Sequence, residues 1–170
     1  MAGSSERVMI KDTRFIFRTN FRGLETEFNK NGYKEFNIVL PEDIGRDLID
    51  RGWNVKTLAP REEGDEELLF LPVRINFDSA YPPRVWLINA ENGKRTMLDD
   101  ETIGQLDFHS RDEIERVNIV VNPRAWSLRG NSGIKAYCNS MQVYFLPDPF
   151  EAEYEAEFGG ADAESDDIPF

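Results

Sequence analysis

Basic side chains lie close to aromatic side chains at several places along this sequence. Lysine and arginine can neutralise phosphates, and aromatic rings can stack on nucleic acid bases. A groove that combined the two would hold a nucleic acid strand by its backbone and bases without reading its sequence. The candidate residues are Arg14, Arg18, Phe21, Phe28, Lys34, Trp53, Lys56, Arg74, Lys94, Arg95, Arg124, Trp126, Arg129, Lys135 and Tyr137.

Each candidate has a structural alternative that the sequence leaves open. A tryptophan in a strand is more often part of the core than a stacking surface, and for Trp53 the two readings are evenly balanced. Trp126 has arginines on both sides in a predicted loop, which favours binding. Tyr137 has the same parity as Met141 and Val143, so burial is an alternative for its ring. Isolated surface lysines and arginines are usually only solvated, so the prediction depends on the whole set.

The sequence offers little for catalysis or metal binding. His109 is the only histidine and Cys138 the only cysteine, which excludes an internal disulfide and Cys/His zinc sites. The EEGDEE stretch at residues 62–67 lacks the spacing of a calcium loop. Adjacent acids at residues 99–101 could serve a metal-dependent nuclease, but adjacent carboxylates at the start of a helix are ordinary capping residues. We therefore expect no enzymatic activity, cofactor or metal.

The elements that must position these residues are mostly strands. Residues 14–18 alternate, which predicts that Phe15 and Phe17 share a buried face and that the arginines point outward. Pro41 and the acids after it begin a short helix, and Asp99 caps a second one. We predict a mainly β fold that closes into a small barrel, with one or two short helices. The predicted strands cover residues 14–18, 33–40, 53–56, 69–77, 85–88, 94–98, 117–121 and 134–145.

The negative charge is concentrated at the C-terminal end. The net charge is −12, but residues 148–170 contain nine acids and no lysine or arginine, leaving −3 for residues 1–147. This division predicts a flexible N-terminus at residues 1–12, a binding domain at residues 13–147 and a disordered acidic tail at residues 148–170. No apolar run approaches the length of a membrane helix, and the N-terminus has no secretion signal. We expect the protein to lie in the cytoplasm.

The last five residues are Asp166, Asp167, Ile168, Pro169 and Phe170. This DDIPF tip resembles the C-terminal tip of bacterial single-stranded DNA-binding proteins. The resemblance implies that the terminal phenylalanine and its carboxylate dock in a pocket with a basic rim on replication, recombination or repair enzymes. An aromatic anchor beside acids and a free carboxylate is a compact docking motif.

Residues 14–146 resemble single-stranded DNA-binding proteins of tailed phages. The segments that carry this resemblance are Gly52-Trp53-Asn54-Val55-Lys56, Leu71-Pro72-Val73 and Gly133-Ile134-Lys135-Ala136-Tyr137, with the loop around Phe21 and Phe28. It implies an OB-fold and sequence-independent binding of single-stranded DNA. The cellular bacterial domain does not match, so we expect a monomer or homodimer rather than a tetramer. The alternative is an acidic interaction protein that sequesters a host replication factor through its tip without binding DNA.

Overall fold

A computed structural model describes residues 6–27, 29–60, 64, 66–109 and 113–147. This part of the chain forms nine strands, one α-helix and one 3-10 helix, which confirms the mainly β fold class. The strands are β1 (Val8–Thr13), β2 (Phe15–Asn20), β3 (Lys34–Leu40), β4 (Lys56–Leu58), β5 (Leu68–Ile75), β6 (Arg84–Asn89), β7 (Arg95–Leu98), β8 (Ile114–Leu128) and β9 (Asn131–Phe145). Helix α1 is Glu42–Asp50 and the 3-10 helix is Ile103–Phe108.

The sheet closes into a barrel because a single bent segment, residues 8–20, forms the strands at both of its edges. Its strand order is β1-β8-β9-β5-β3-β2, and only Arg14 separates β1 from β2 along the chain. At this bend the Val39 amide donates to the Arg14 carbonyl oxygen at 3.1 Å. Strands β5 and β9 are parallel, and the other pairs around this ring are antiparallel. When β1 and β2 are counted as one bent strand, the result is the five-stranded barrel of an OB-fold, as predicted.

Alternating side chains fill the barrel. Leu69, Leu71, Val73 and Ile75 on β5 are buried, in agreement with the period-two pattern of that strand. Three rings pack at one end of the core, with 5.4 Å between the ring centroids of Phe15 and Phe36. Phe21 stacks on Phe36 at 4.8 Å and meets the edge of Phe15 at 5.4 Å.

Residues 14–18, which lie mainly in β2, do not alternate as predicted. Phe15 and Ile16 are both buried, whereas Phe17 is exposed and has a φ of 63°. The β2–β3 register shifts between Ile16 and Asn20, so an irregularity turns the side chains after Ile16. The Phe17 ring then meets Phe70 of β5 edge-on at 5.0 Å. The prediction that Phe15 and Phe17 share a buried face is therefore wrong.

The predicted flexible N-terminus is too long. Residues 8–13 form β1, in which Ile10 is fully buried and pairs with Ile119 of β8. Three of the six residues in this strand are exposed, and two of these, Lys11 and Asp12, are charged, which is why the sequence suggests fraying. Residues 1–5 lie outside the described part of the chain.

Helix α1 begins where the sequence predicts, whereas the 3-10 helix begins at Ile103, four residues after its predicted cap, Asp99. Pro41 precedes α1, and a Cβ on Gly45 would lie 2.5 Å from Leu69 Cδ1, so the helix packs directly on β5. Asp99 caps the turn before the 3-10 helix, because its Oδ1 accepts hydrogen bonds from the Glu101 and Thr102 amides at 3.0 and 2.9 Å. A further hydrogen bond from the Thr102 hydroxyl lowers the pKa of the Asp99 carboxyl.

The last two strands form a long hairpin instead of two short strands joined by a loop. Both β8 and β9 have 15 residues, and only Arg129 and Gly130 separate them. Their φ angles of 52° and 84° fit a two-residue hairpin turn in which both residues are left-handed. The predicted hairpin at Asn92-Gly93 joins β6 to β7, and β6 adds to the barrel by pairing in parallel with β9. Among the described helices, neither is long and apolar enough to cross a membrane.

Candidate nucleic-acid interface

A row of charged and aromatic side chains crosses three strands on the outside of the barrel. Glu35 of β3 pairs in register with Arg74 of β5, which pairs with Tyr137 of β9. The next residues along these strands, Phe36, Val73 and Ala136, are buried. Since side chains alternate along a strand, the row points outward. We call it, with the flanking Tyr33 and Lys135, the β3–β5–β9 face.

Arginines of this region lie over tyrosine rings. The Arg74 guanidinium carbon is 3.7 Å from the centroid of Tyr33, whose side chain is 41% exposed. The Arg124 guanidinium carbon is 5.3 Å from the centroid of Tyr137. Such cation–π contacts hold a positive charge beside an aromatic face. The arrangement therefore brings together the two kinds of group that a nucleotide needs, one for phosphate and one for the base.

One carboxylate balances the cations of the face. Glu35 Oε2 lies 3.5 Å from Arg74 Nη2 and 3.5 Å from Lys135 Nζ, which are long contacts for ion pairs. The Nε of Arg74 is buried and has no hydrogen-bond partner within the described residues. The face and the neighbouring Arg124 thus carry three cations and one carboxylate, although residues 1–147 have a net charge of −3.

A cleft of about 480 Å³ opens beside this face. Tyr33, Arg74 and Tyr137 line it together with Lys34 and Arg124. The Lys34 amine is already engaged, because it pairs with the Asp100 carboxylate and donates to the Asp100 carbonyl oxygen at 2.6 Å. Asp100 is therefore part of a local ion pair rather than of a cluster of acids.

The β8–β9 hairpin extends the row beyond the barrel. We call residues 124–135 the hairpin arm; within it Arg124 pairs with Lys135 and Trp126 pairs with Gly133. The indole lies over Gly133, where a Cβ would be only 3.0 Å from Trp126 Nε1. Trp126 remains 43% exposed, so its ring is both held in place and accessible.

The structure brings together part of the predicted binding set. The following candidates lie on the face, in the cleft beside it or on the hairpin arm: Lys34, Arg74, Arg124, Trp126, Arg129, Lys135 and Tyr137. Tyr137 shares its outward parity with Lys135 rather than being buried with Met141, because the β8–β9 register shifts between them. Their contact with a nucleic acid stays a prediction.

Two predicted stacking residues belong to the core instead. Phe21 is fully buried in the aromatic cluster with Phe15 and Phe36. Trp53 is 4% exposed and forms a bridge to Ile134 of β9 where the chain leaves α1. The strand that follows begins only at Lys56, so the turn at Gly52 directs the indole inward. A base cannot reach either ring in this structure, and both assignments are corrected.

Three basic candidates lie elsewhere. Lys56 is exposed on β4, opposite Phe70. Lys94 and Arg95 lie on the β6–β7 hairpin, where the Arg95 guanidinium carbon is 5.3 Å from the Trp86 ring. Arg95 pairs with Ile88 of β6, which pairs in turn with Tyr144 of β9. Tyr144 is seven residues from Tyr137, a distance of about 23 Å along β9. The predicted single groove therefore does not include these residues. Phe28 and the tip residues 166–170 lie outside the described residues.

Arg14 and Arg18 line a different cleft, of about 680 Å³, between β2 and the 3-10 helix. We call this the arginine cleft; Arg22 and Phe108 line it as well. The Arg22 guanidinium carbon lies 4.6 Å from the Phe108 ring, and its Nε pairs with Asp107 Oδ2 at 3.0 Å. Asp107 is almost fully buried and also accepts hydrogen bonds from the Thr19 hydroxyl and the Phe21 amide.

Several residues of these sites were not among the candidates. Tyr33 and Glu35 border Lys34, and the only signal for them is their position at the start of a strand with outward parity. Phe108 ends the 3-10 helix with 72% of its surface exposed, which no sequence pattern indicates. Within the part that the structure describes, no three His, Cys, Asp or Glu side chains come together in a group that could hold a metal ion.

Comparison with known proteins places these sites in a family context. Residues 2–169 match the model of the family described as "Putative phage ssDNA-binding domain". The fold is similar to that of the single-stranded DNA-binding protein from bacteriophage Enc34 in complex with ssDNA, with 12% identity, a TM-score of 0.54 and coverage of 85% of this chain and 89% of that chain. A C-terminal truncation of the Enc34 protein matches with 12% identity, a TM-score of 0.53 and coverage of 85% and 88%. Among curated proteins, none matches this chain.

Proposed function

The chain belongs to the family of phage single-stranded DNA-binding domains, and from this premise we propose that it binds single-stranded DNA without sequence preference through the β3–β5–β9 face and the hairpin arm. Since the family is one of binding domains, the chain is a binding protein rather than an enzyme. The Enc34 protein, whose fold is similar, forms a complex with ssDNA.

The observation that carries this assignment of the site is the alternation of cations and exposed rings across the barrel. Tyr33, Tyr137 and Trp126 offer aromatic surfaces, and Arg74, Arg124 and Lys135 lie between or beside them. A base stacked on such a ring contributes about 1–3 kcal/mol whatever its identity. The neighbouring cations neutralise the phosphates, so affinity falls as salt rises because counterions are released.

Glu35 gives this face a resting partner for its cations. When DNA is absent, the carboxylate lies between Arg74 and Lys135 at 3.5 Å from each. A phosphate that approaches these cations competes with Glu35 for them. Binding therefore exchanges two long ion pairs for charge-assisted hydrogen bonds to phosphate.

The C-terminal tip has a separate role in this proposal. The Asp166 to Phe170 sequence recruits enzymes of DNA replication, recombination or repair, because it combines an aromatic anchor with steering acids. The domain over residues 13–147 holds the strand, and residues 148–170 carry the tip. The protein acts in the cytoplasm of a bacterial host cell as a monomer or homodimer.

The first experiment is a titration of fluorescently labelled oligo-dT with the full chain at two salt concentrations, with a DNA duplex as the control. We expect tight, salt-sensitive binding to the single strand only. The Trp126→Ala variant should lose about 1–3 kcal/mol of binding free energy, which is roughly 5-fold to 150-fold in affinity. Tyr81→Ala removes another highly exposed ring and should leave affinity unchanged.

The outcome separates this function from the alternative. If the full chain does not bind oligo-dT even at low salt, the protein is left with the tip as its recognisable binding element, and the sequestering function is favoured. If Trp126→Ala and Tyr81→Ala bind equally well while the full chain binds, DNA lies on another surface.

A further inference from the structure

The arginine cleft lies apart from the β3–β5–β9 face and is not used by the proposed function. Ile114 at the start of β8 lines the cleft, and Arg124 of the hairpin arm is ten residues further along the same strand. At about 3.3 Å per residue the two positions are roughly 30 Å apart along β8. A single short strand of DNA on the face does not need this cleft.

The cleft combines an apolar lining with a net positive charge, since three arginines and two carboxylates, those of Asp107 and Glu115, line it. Phe15, Leu106 and Ile114 contribute to its walls, and Phe108 at its rim is one of the most exposed aromatic residues of the domain. Arg22 is paired with Asp107. Arg14 and Arg18 are exposed and have no ion-pair partner among the residues that the structure describes. These properties suit a ligand that is both acidic and aromatic.

The chain leaves the barrel at the rim of this cleft. Phe145, at the end of β9, pairs with Ile114, and its ring centroid is 5.6 Å from that of His109, which also lines the cleft. The Leu146 amide donates to the Glu113 carbonyl oxygen at 2.6 Å. The described part of the chain ends one residue later, at Pro147. Residues 148–170 therefore begin beside the cleft and far from the hairpin arm.

The first half of that segment has the chemistry that the cleft would accept. Residues 148–158 contain Phe150, Tyr154 and Phe158 at intervals of four, and every odd position from Glu151 to Glu157 is a glutamate. No lysine or arginine interrupts them. Eleven residues can extend up to about 36 Å, which is enough to span the cleft. A segment tethered so closely is present at an effective concentration on the order of millimolar.

We propose that residues 148–158 bind in the arginine cleft of their own chain, with glutamates against Arg14 and Arg18 and an aromatic side chain against Phe108. An acidic aromatic peptide is favoured over DNA as the occupant because the tether delivers it to the rim of the cleft. Gly159 and Gly160 follow this segment, so residues 161–170 extend beyond it. The docked segment presents the tip on the side of the barrel away from the hairpin arm.

The test is backbone amide NMR of the full chain. Replacing Phe150, Tyr154 and Phe158 with alanine together should shift the amide signals of Arg22, Phe108 and His109. The matched control, Ile168→Ala with Phe170→Ala, changes two apolar residues of the tip and should leave these signals in place. If the triple variant leaves the cleft signals unchanged, or shifts signals of the β3–β5–β9 face instead, the proposal is overturned.

The reciprocal experiment changes the cleft. Arg18→Glu and Phe108→Ala should each shift the amide signals of residues 150–158, whereas Arg84→Glu and Tyr81→Ala, which alter equally exposed residues elsewhere, should not. Unlabelled oligo-dT added to the full chain should leave the Phe108 and His109 signals in place. If oligo-dT shifts them and the tail variant does not, the cleft binds DNA and the proposal fails, whatever the result of the titration on the face.

Discussion

The Arg74 guanidinium lies 3.7 Å from the centroid of the Tyr33 ring, on the outside of a closed barrel. This contact joins the residue just before β3 to one near the end of β5. It keeps a cation and an aromatic face side by side before any ligand is present, which lowers the ordering cost of binding. The same guanidinium contacts Glu35, so the Glu35 carboxylate competes with a DNA phosphate for Arg74.

Removing the charge of Glu35 should strengthen DNA binding. Glu35→Gln keeps the shape of the side chain but releases Arg74 and Lys135 from their contacts at 3.5 Å. Because both contacts are partly exposed, we expect a gain of about 0.2–1 kcal/mol, up to roughly fivefold in affinity for oligo-dT at low salt. Fluorescence anisotropy measures it, with the exposed Glu91→Gln as the control. Weaker binding by Glu35→Gln would show that the carboxylate supports the site.

The salt dependence should identify the phosphate contacts. For single strands the slope of log affinity against log salt falls by about 0.7 for each neutralised phosphate. Arg124→Gln and Lys135→Gln, which pair across the hairpin arm, should each reduce that slope by about this amount. Arg84→Gln, on the first residue of β6, should leave it unchanged. Equal slopes in all variants would place the phosphates away from the arm.

Asp107 should be a strong determinant of stability. Its nearly buried carboxylate accepts hydrogen bonds from the Thr19 hydroxyl, the Phe21 and Arg22 amides and the Arg22 side chain, at 2.6 to 3.0 Å. Asp107→Ala leaves these donors without their acceptor, and we expect the free energy of unfolding to fall by about 3 kcal/mol. Urea denaturation measures it. Asp50→Ala, at an exposed site, should change it by less than about 0.5 kcal/mol.

The single thiol should be unreactive in the folded protein. Cys138 is buried in β9, and burial raises the pKa of its thiol well above the usual range. Little thiolate is therefore present at pH 8, and a thiol reagent should react only when the barrel opens. The rate with a chromogenic disulfide is compared in buffer and in denaturing urea. Equal rates would mean that β9 opens readily in the native state.

The strands with strict alternation were predictable from sequence. The apolar residues of β3 and β5 recur at every second position, and both strands lie within two residues of their predicted bounds. The tip of the hairpin arm was not predictable as strand, because residues 124–132 are all exposed and such a segment has no apolar period. At Phe17 a positive φ breaks the parity of the strand, and alternation in the sequence does not indicate such an irregularity.

The candidate site was predictable only in part. The basic residues of the face were identified because they have outward parity, but their neighbours come from strands far apart in sequence. Nothing in the sequence near Tyr33 indicates that Arg74 will cover its ring. Phe21 and Trp53 lie in polar surroundings along the chain, and only the packing of the barrel shows that they are core. Local sequence thus predicts the face of a strand better than the partner of a side chain.

The closure of the barrel by β1 constrains how the chain can fold during synthesis. Val8 pairs with Val121, so the first strand cannot find its partner until more than a hundred further residues have been made. At about 5–20 residues per second a ribosome needs on the order of ten seconds to supply them. Throughout that interval β1 lacks its partner strand β8, and contacts so distant in sequence form late. The nascent chain is therefore most exposed to misassembly just before its acidic C-terminal residues emerge.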